Sequence, residues 1–388
     1  MFGSRLDRRK LLATGAMALL GACAVIPKGP TEAPPPAPAP APAPSPTTLP
    51  TDNERHRVAL LVPLSGSNAA VGQSLANAAT MAVLDTNAQN LRVTTYDTAI
   101  NPADAARRAV ADGNKLILGP LLSSDVPEVV KAARPANVPM ISFSNDETAA
   151  QRDVFIMGNL PGQSVARTID YAIGTGIRAF GALVPRGEYG QRASDALMAS
   201  VRQGGGSVVA MEAYDRSGAS VTSAARRLAE KGGYDAVLIA DGGSMSARAA
   251  PVLKGTGNAG PRLLGTELWS GEKDVTSSPA LRGAWYAAVS DRNFGQFTKS
   301  YRSRFGSQPY RIATLGYDAV LLSLRVAKNW KPGTDFPMRN LVDPDGFLGL
   351  DGPFRFGRDG VIERAFEVRE VTAGGNTVIS PAPAKFGR

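Results

Sequence analysis

One cysteine and one histidine in 388 residues exclude more chemistry than any motif in this chain supplies. A single thiol, Cys23, cannot close an intrachain disulfide, and with only His56 beside it no Cys/His zinc site can be assembled. A Ser-His-Asp or Cys-His arrangement has no core histidine to use, because His56 stands in Arg55-His56-Arg57 ahead of the first apolar run and reads as an exposed terminal residue. Carboxylates are plentiful, yet no pair falls at the ends of neighbouring strands in a way that gives acid and base roles. Positive charge is thin as well. Of the net +9, Arg5, Arg8, Arg9 and Lys10 against Asp7 place +3 in the first 22 residues, and the remaining +6 holds no basic run that would track phosphates. Mild basicity suits anionic neighbours such as lipid headgroups or cell-wall polymer without selecting one. No catalytic residue, no metal and no cofactor is therefore expected, and no nucleic-acid partner.

Long apolar runs are also scarce. At the N-terminus, Leu11 to Leu20 follows a basic stretch and is too short to stay in a bilayer as a spanning helix, so residues 1–22 read as a secretory signal. Leu20-Gly21-Ala22-Cys23 resembles a bacterial lipobox. That resemblance implies cleavage before Cys23, diacylation of its sulfur and acylation of the new amine, and two or three acyl chains anchor stably where one would not. Ala24, rather than Asp, follows the cysteine; by resemblance to lipoprotein sorting in Gram-negative bacteria, this implies the periplasmic face of the outer membrane. Arg8-Arg9-Lys10-Leu11-Leu12 is also similar to a twin-arginine export motif. Between Pro27 and Pro50 there are 11 prolines in 24 residues. Such a segment builds no core, and in polyproline II it reaches roughly 70 Å. Residues 23–55 are read as a tether that holds the folded part off a membrane.

From residue 56 the chain alternates strand and helix. Val58–Pro63 is an apolar run of strand length, and Leu91–Asp97, Lys115–Gly119 and Val138–Ser144 read as further strands, separated by helical patterns. A second series follows at Phe180–Val184, Val208–Tyr214, Ala236–Ala240 and Arg262–Leu268. Strands without polar alternation, joined by helices, indicate βαβ units and buried parallel sheets, and two such runs predict an α/β fold of two doubly wound lobes. Phe294, Phe297, Tyr301 and Phe305 recur at helical spacing and read as a core face, not a ligand box. Beyond Gly346 the pattern turns strand-like, and residues 381–388 read as a frayed tail.

Two motifs that look catalytic fail on context. Gly255-Thr-Gly257-Asn-Ala-Gly260 has the glycines of a dinucleotide loop, but it ends a helix and leads into a strand, the reverse of what phosphate binding needs. Ser270-Gly-Glu-Lys273 has the spacing of a penicillin-recognising serine motif without its companions. What remains is the rule that open α/β sheets bind ligands beyond the carboxyl ends of their strands. Those ends name the cleft candidates: Ser65, Gly66, Gly119, Pro120, Leu121, Ser142, Ser144 and Asn145 in the first lobe, and Tyr189, Asp241, Glu267 and Trp269 in the second.

Val58-Ala-Leu-Leu-Val-Pro-Leu-Ser-Gly66, Leu116-Ile-Leu-Gly-Pro-Leu121, Val138-Pro-Met-Ile-Ser142 and Glu188-Tyr-Gly190 resemble the strand ends of type I periplasmic binding proteins, the leucine/isoleucine/valine-binding group. Within it, Gly265-Thr-Glu-Leu-Trp269, Leu281-Arg-Gly-Ala-Trp285, Tyr317-Asp-Ala319 and the segment from Gly346 to Phe356 resemble the penicillin-binding protein activators, relatives of the C-terminal domain of LpoA. The resemblance implies three hinge crossovers, with lobe 1 at 56–157 plus 287–330 and lobe 2 at 158–286 plus 331–380. It also implies a non-catalytic outer-membrane lipoprotein that binds and activates a bifunctional penicillin-binding protein. The alternative is a solute receptor of an ABC transporter with a small-molecule ligand in the cleft. Amino-acid receptors of the group hold their ligand through hydroxyl residues after the fourth strand, and Ser144-Asn-Asp-Glu-Thr148 departs from that pattern.

Overall fold

The computed structural model describes residues 54–255 and 260–386. In chain order the first lobe begins with β1 (His56–Val62), α1 (Ala69–Asp85), β2 (Leu91–Asp97), α2 (Pro102–Ala111), β3 (Leu116–Leu118), α3 (Val126–Ala133), β4 (Met140–Ser142) and β5 (Val154–Ile156). The second lobe runs through α4 (Pro161–Gly174), β6 (Ala179–Pro185), α5 (Glu188–Gln203), β7 (Ser207–Tyr214), α6 (Gly218–Lys231), β8 (Ala236–Ile239), α7 (Gly243–Lys254), β9 (Arg262–Gly265), α8 (Lys273–Ser277) and β10 (Trp285–Ala288). Then come α9 (Phe294–Phe305), α10 (Thr314–Ala327), β11 (Phe347–Gly349), β12 (Gly352–Phe356), β13 (Ile362–Arg364), β14 (Glu367–Thr372) and β15 (Gly375–Ser380).

The two lobes solve the same packing problem in the same way. The first sheet is ordered β2-β1-β3-β4-β5, and all its pairings are parallel. In the second sheet β7-β6-β8-β9-β10 repeats that order, also in parallel, and β14 and β15 extend it antiparallel. Helices cover both faces, which is why the central strands are apolar throughout: Val58 to Val62 are all fully buried, whereas the edge strands β2 and β7 carry polar residues and are partly exposed. Each such Val or Leu contributes roughly 1.5–3 kcal/mol of transfer free energy. In the second sheet Phe180, Ala182, Leu238 and Leu264 face α4 and α5, while Leu183, Val237, Ile239 and Leu263 face α6 and α7. The helix that follows the first strand of each sheet, α1 after β1 and α5 after β6, lies close against the end of that strand. A Cβ on Gly72 or on Gly190 would stand 1.7 Å from the carbonyl oxygen of Pro63 or Pro185, respectively, so only glycine permits either approach.

The aromatic face of α9 is core, as its spacing predicts. Phe297 and Tyr301 are buried against Ala78 and Met81 of α1. His56 is a correction. It is 3% exposed, not terminal and solvated, because its ring stacks on Trp330 at 4.2 Å. The division of the C-terminal third also differs from the sequence reading. Trp330, Phe336, Leu341, Phe347, Phe354, Phe356 and Ile362 all join the first lobe's core, and Phe356 meets Phe155 edge-on at 5.3 Å. The chain returns to the second lobe only after Arg364, where Phe366 and Val368 enter the core beneath α4. A period of two shows that β12 has an apolar face. It does not show which lobe receives that face. The second crossing lies after Val289, which is still packed in the second lobe, and before Phe294.

Candidate functional site

In a sheet of order 2-1-3-4-5, neighbouring connections leave on opposite faces at the first and third strands, and a crevice opens there beyond the strand ends. In the first lobe those ends are Ser65-Gly66 after β1 and Gly119-Pro120-Leu121 after β3. In the second they are the turn from Pro185 to Tyr189 after β6 and Asp241 after β8. The two switch points carry cleft candidates from both halves of the chain.

The first lobe spends its hydroxyls on its own turns and loops. Ser65 Oγ donates to Asp97 Oδ2 at 2.8 Å while Leu64 N–H donates to Asp97 Oδ1 at 2.8 Å, which fixes the turn at Gly66. Gly66 takes a left-handed φ of 70°. Gly119 and Pro120 are joined by a cis peptide bond, and Ser142 Oγ donates to Pro120 O at 2.9 Å. The Ser144 N–H then donates to Ser142 Oγ at 3.1 Å, and the Asp146 N–H to Ser144 Oγ at 3.0 Å. Both serines are buried, Asn145 is half-buried beside them, and Leu121 packs on the first core.

In the second lobe Tyr189, on the first turn of α5, reaches β9. Its hydroxyl lies 2.8 Å from Thr266 Oγ1 and donates to Glu267 Oε1 at 3.0 Å. The other oxygen, Glu267 Oε2, is shielded from solvent and has no hydrogen-bond partner. Burial pushes the Glu267 carboxyl up to about 7, against the opposing influence of its own backbone and of the Tyr189 and Ser164 hydroxyls. Asp241 is held by Tyr214 Oη at 2.7 Å and Arg216 Nε at 3.3 Å on Oδ2, and by its neighbour Gly242 N–H on Oδ1. Trp269 does not line the cleft. It is fully buried, its Nε1 donates to Asp241 O at 3.0 Å and Ser246 Oγ at 2.9 Å, and its ring packs against Tyr286. Its role is to hold the loop that carries Glu267.

Two residues outside the sequence candidates join the halves. Arg192 Nη1 of α5 stands 3.1 Å from Asp146 Oδ2 in the loop after β4. The signal for Arg192 was its place one turn beyond Tyr189, which puts both on one face of the helix. The signal for Thr266 was adjacency to Glu267. Cys23 lies outside the described residues, as does most of the Gly255–Gly260 loop. Among the described residues no group of three His, Cys, Asp or Glu could hold a metal ion.

A family model described as periplasmic binding protein matches residues 56–376. Among curated proteins, the chain is similar to uncharacterized protein RP748 of Rickettsia prowazekii, at 29% identity over 173 residues. That match covers 44% of this chain and 46% of the relative, less than half its length. Among solved structures, a Rhodospirillum rubrum protein described as a branched-chain amino acid ABC transporter superposes with a TM-score of 0.74 at 20% identity, over 84% of this chain and all of the other. A solute binding protein of an ABC transporter from Rhodopseudomonas palustris, crystallised with 3,4-dihydroxy benzoic acid, gives 0.67 at 19% identity, over 86% of this chain and 97% of that one.

Proposed function

The chain belongs to the periplasmic binding protein family, and from that premise we propose that it is a non-catalytic solute-binding protein that takes a small polar ligand between its lobes. The observation that carries this reading is Glu267. A carboxylate buried at a strand end beside a switch point, with one oxygen held by Tyr189 and the other short of a donor because the neighbouring Ser164 hydroxyl gives its proton to Ala287 O, is costly without a further partner. A ligand bearing an ammonium, amide N–H or hydroxyl group would supply the missing donor. The ligand class is narrowed on the opposite side. Ser142 and Ser144 already serve backbone groups, and the Arg192 guanidinium, the cation nearest that loop, is engaged by Asp146, so among the described residues this side holds no free cation for a ligand carboxylate. An amine, amide or similar solute fits this cleft better than a free amino acid. The relatives of the same fold that are transporter solute-binding proteins support the reading.

The test is to denature the purified protein, identify any released small molecule by mass spectrometry, and titrate it by calorimetry. Glu267→Gln is expected to weaken binding by about ten-fold or more, the loss of one charge-assisted hydrogen bond. If nothing is released and no amine or amide shifts the melting temperature, the solute-binding reading is lost.

A second reading rests on the N-terminus and on those same committed serines. Under it, Cys23 carries the acyl anchor at the outer membrane, the proline segment is a stand-off, and the folded domain contacts and activates a bifunctional penicillin-binding protein.

A further inference from the structure

Asp146 and Arg192 belong to different lobes, and their environments are unequal. Asp146 is prepared for its partner. Thr148 donates to Asp146 Oδ1 through its N–H at 3.0 Å and its hydroxyl at 2.7 Å, so that oxygen is fixed within the first lobe. The second oxygen, Oδ2, is the one that faces Arg192. Burial works against the charge of Asp146, but the Thr148 hydrogen bonds and the Arg192 guanidinium outweigh it and hold the carboxyl below the usual carboxylate range. On the other side, Arg192 meets Glu188 of its own helix at 3.7 Å, and Glu188 is 78% exposed. Arg192 Nε is buried without a hydrogen-bond partner. The two side chains of the pair are 14% and 20% exposed, far less than a surface ion pair, so water screens their attraction little.

We propose that the Asp146–Arg192 pair is a latch that holds the two lobes together across the cleft with no ligand present. The lobes are joined by three chain crossings, around which a hinge rotation would separate the anchors of the pair without deforming either sheet. A carboxylate that is pinned in one lobe and a guanidinium from the other resist that rotation. Opening leaves Asp146 ordered by Thr148, so the free energy of the contact is spent on joining the lobes and not on building the loop. A ligand then enters only in the fraction of molecules in which the pair is broken, and its apparent affinity falls by that fraction.

The experiment uses the full chain with Cys23→Ser and spin labels on Lys131→Cys of α3 and Glu230→Cys of α6, both exposed. The protein is unfolded and refolded to strip any bound molecule, and the distance between lobes is measured by pulsed electron resonance. In the unsubstituted latch one short distance is expected. Asp146→Asn and Arg192→Gln should each raise a longer-distance population by at least about five-fold. The double variant should open no further than either single one, because both remove the same contact. Arg192→Lys keeps the charge, and Glu188→Gln alters an exposed neighbour, so both should stay closed. Single variants indistinguishable from the parent would overturn the latch. So would a double variant whose opening equals the sum of the two, or a parent that is already open.

Discussion

Two buried titratable residues work in opposite directions on stability. Glu267 has its carboxyl raised from 4.5 to about 7 by burial. The folded protein therefore binds a proton that the unfolded chain has lost, and stability from this group is full below about 4.5 and disappears as pH rises to 7. His56 is lowered from 6.5 by burial against Trp330, so its contribution is full above 6.5 and is lost as pH falls below it. The summed curve hides both. Urea unfolding of the parent minus that of Glu267→Gln is expected to slope downward between pH 4.5 and 7. The same difference taken with His56→Phe should slope upward toward 6.5. A flat difference for Glu267→Gln would mean that the carboxylate is hydrated in the cleft, and the case for an unpaired ligand-facing oxygen would go with it.

Among the elements, the paired contacts of α1 with β1 and α5 with β6 decide how near each cleft-facing helix can sit. Gly72→Ala and Gly190→Ala place a methyl group on a proline carbonyl. Alanine gains about 1 kcal/mol of helix propensity over glycine, but overpacking of this kind costs more, and a net loss of about 1–3 kcal/mol is expected. Gly295→Ala on α9, where nothing stands within 4 Å, should instead stabilise by up to about 1 kcal/mol. Chemical denaturation of the three variants checks the signs. For Gly190→Ala the shift of α5 also moves Tyr189 and Arg192, so loss of ligand binding should exceed the loss in stability.

At the scale of the molecule the two functional readings diverge. A solute-binding protein presents its ligand through the cleft, whereas an activator presents an outer surface to a synthase and need not open. The folded chain immobilised in detergent and incubated with a solubilised envelope separates them. Recovery of a bifunctional penicillin-binding protein, lost when the bait is denatured, would favour the activator. Recovery of permease subunits that depends on added solute would favour transport. The charges that join the lobes at the hinge are independent of that choice. Asp291 lies between Arg311 of the first lobe and Arg369 of the second, and within the first lobe Arg364 Nη2 donates to Met157 O at 3.0 Å, tying the start of the third crossing to that of the first.

Much of this was readable without coordinates, because parallel strands buried on both faces must be apolar along their whole length. Val58–Val62 and Ala236–Ile239 announce themselves in that way. A helix start was legible too: Asn101 caps α2 by accepting from the Asp104 N–H, as an Asn-Pro pair predicts. Periodicity within one element depends only on local geometry, so the core face of α9 could be read directly. The choice of core could not. Whether Phe347, Phe354 and Phe356 serve the first lobe or the second is settled by contacts between residues some two hundred positions apart. For the same reason Trp269 read as a cleft residue and His56 as a terminal one, since only burial distinguishes a ring that lines a site from one that fills a core. The pairing of Asp146 with Arg192, and the unpaired oxygen of Glu267, exist only once two lobes built from separate stretches of chain are brought face to face.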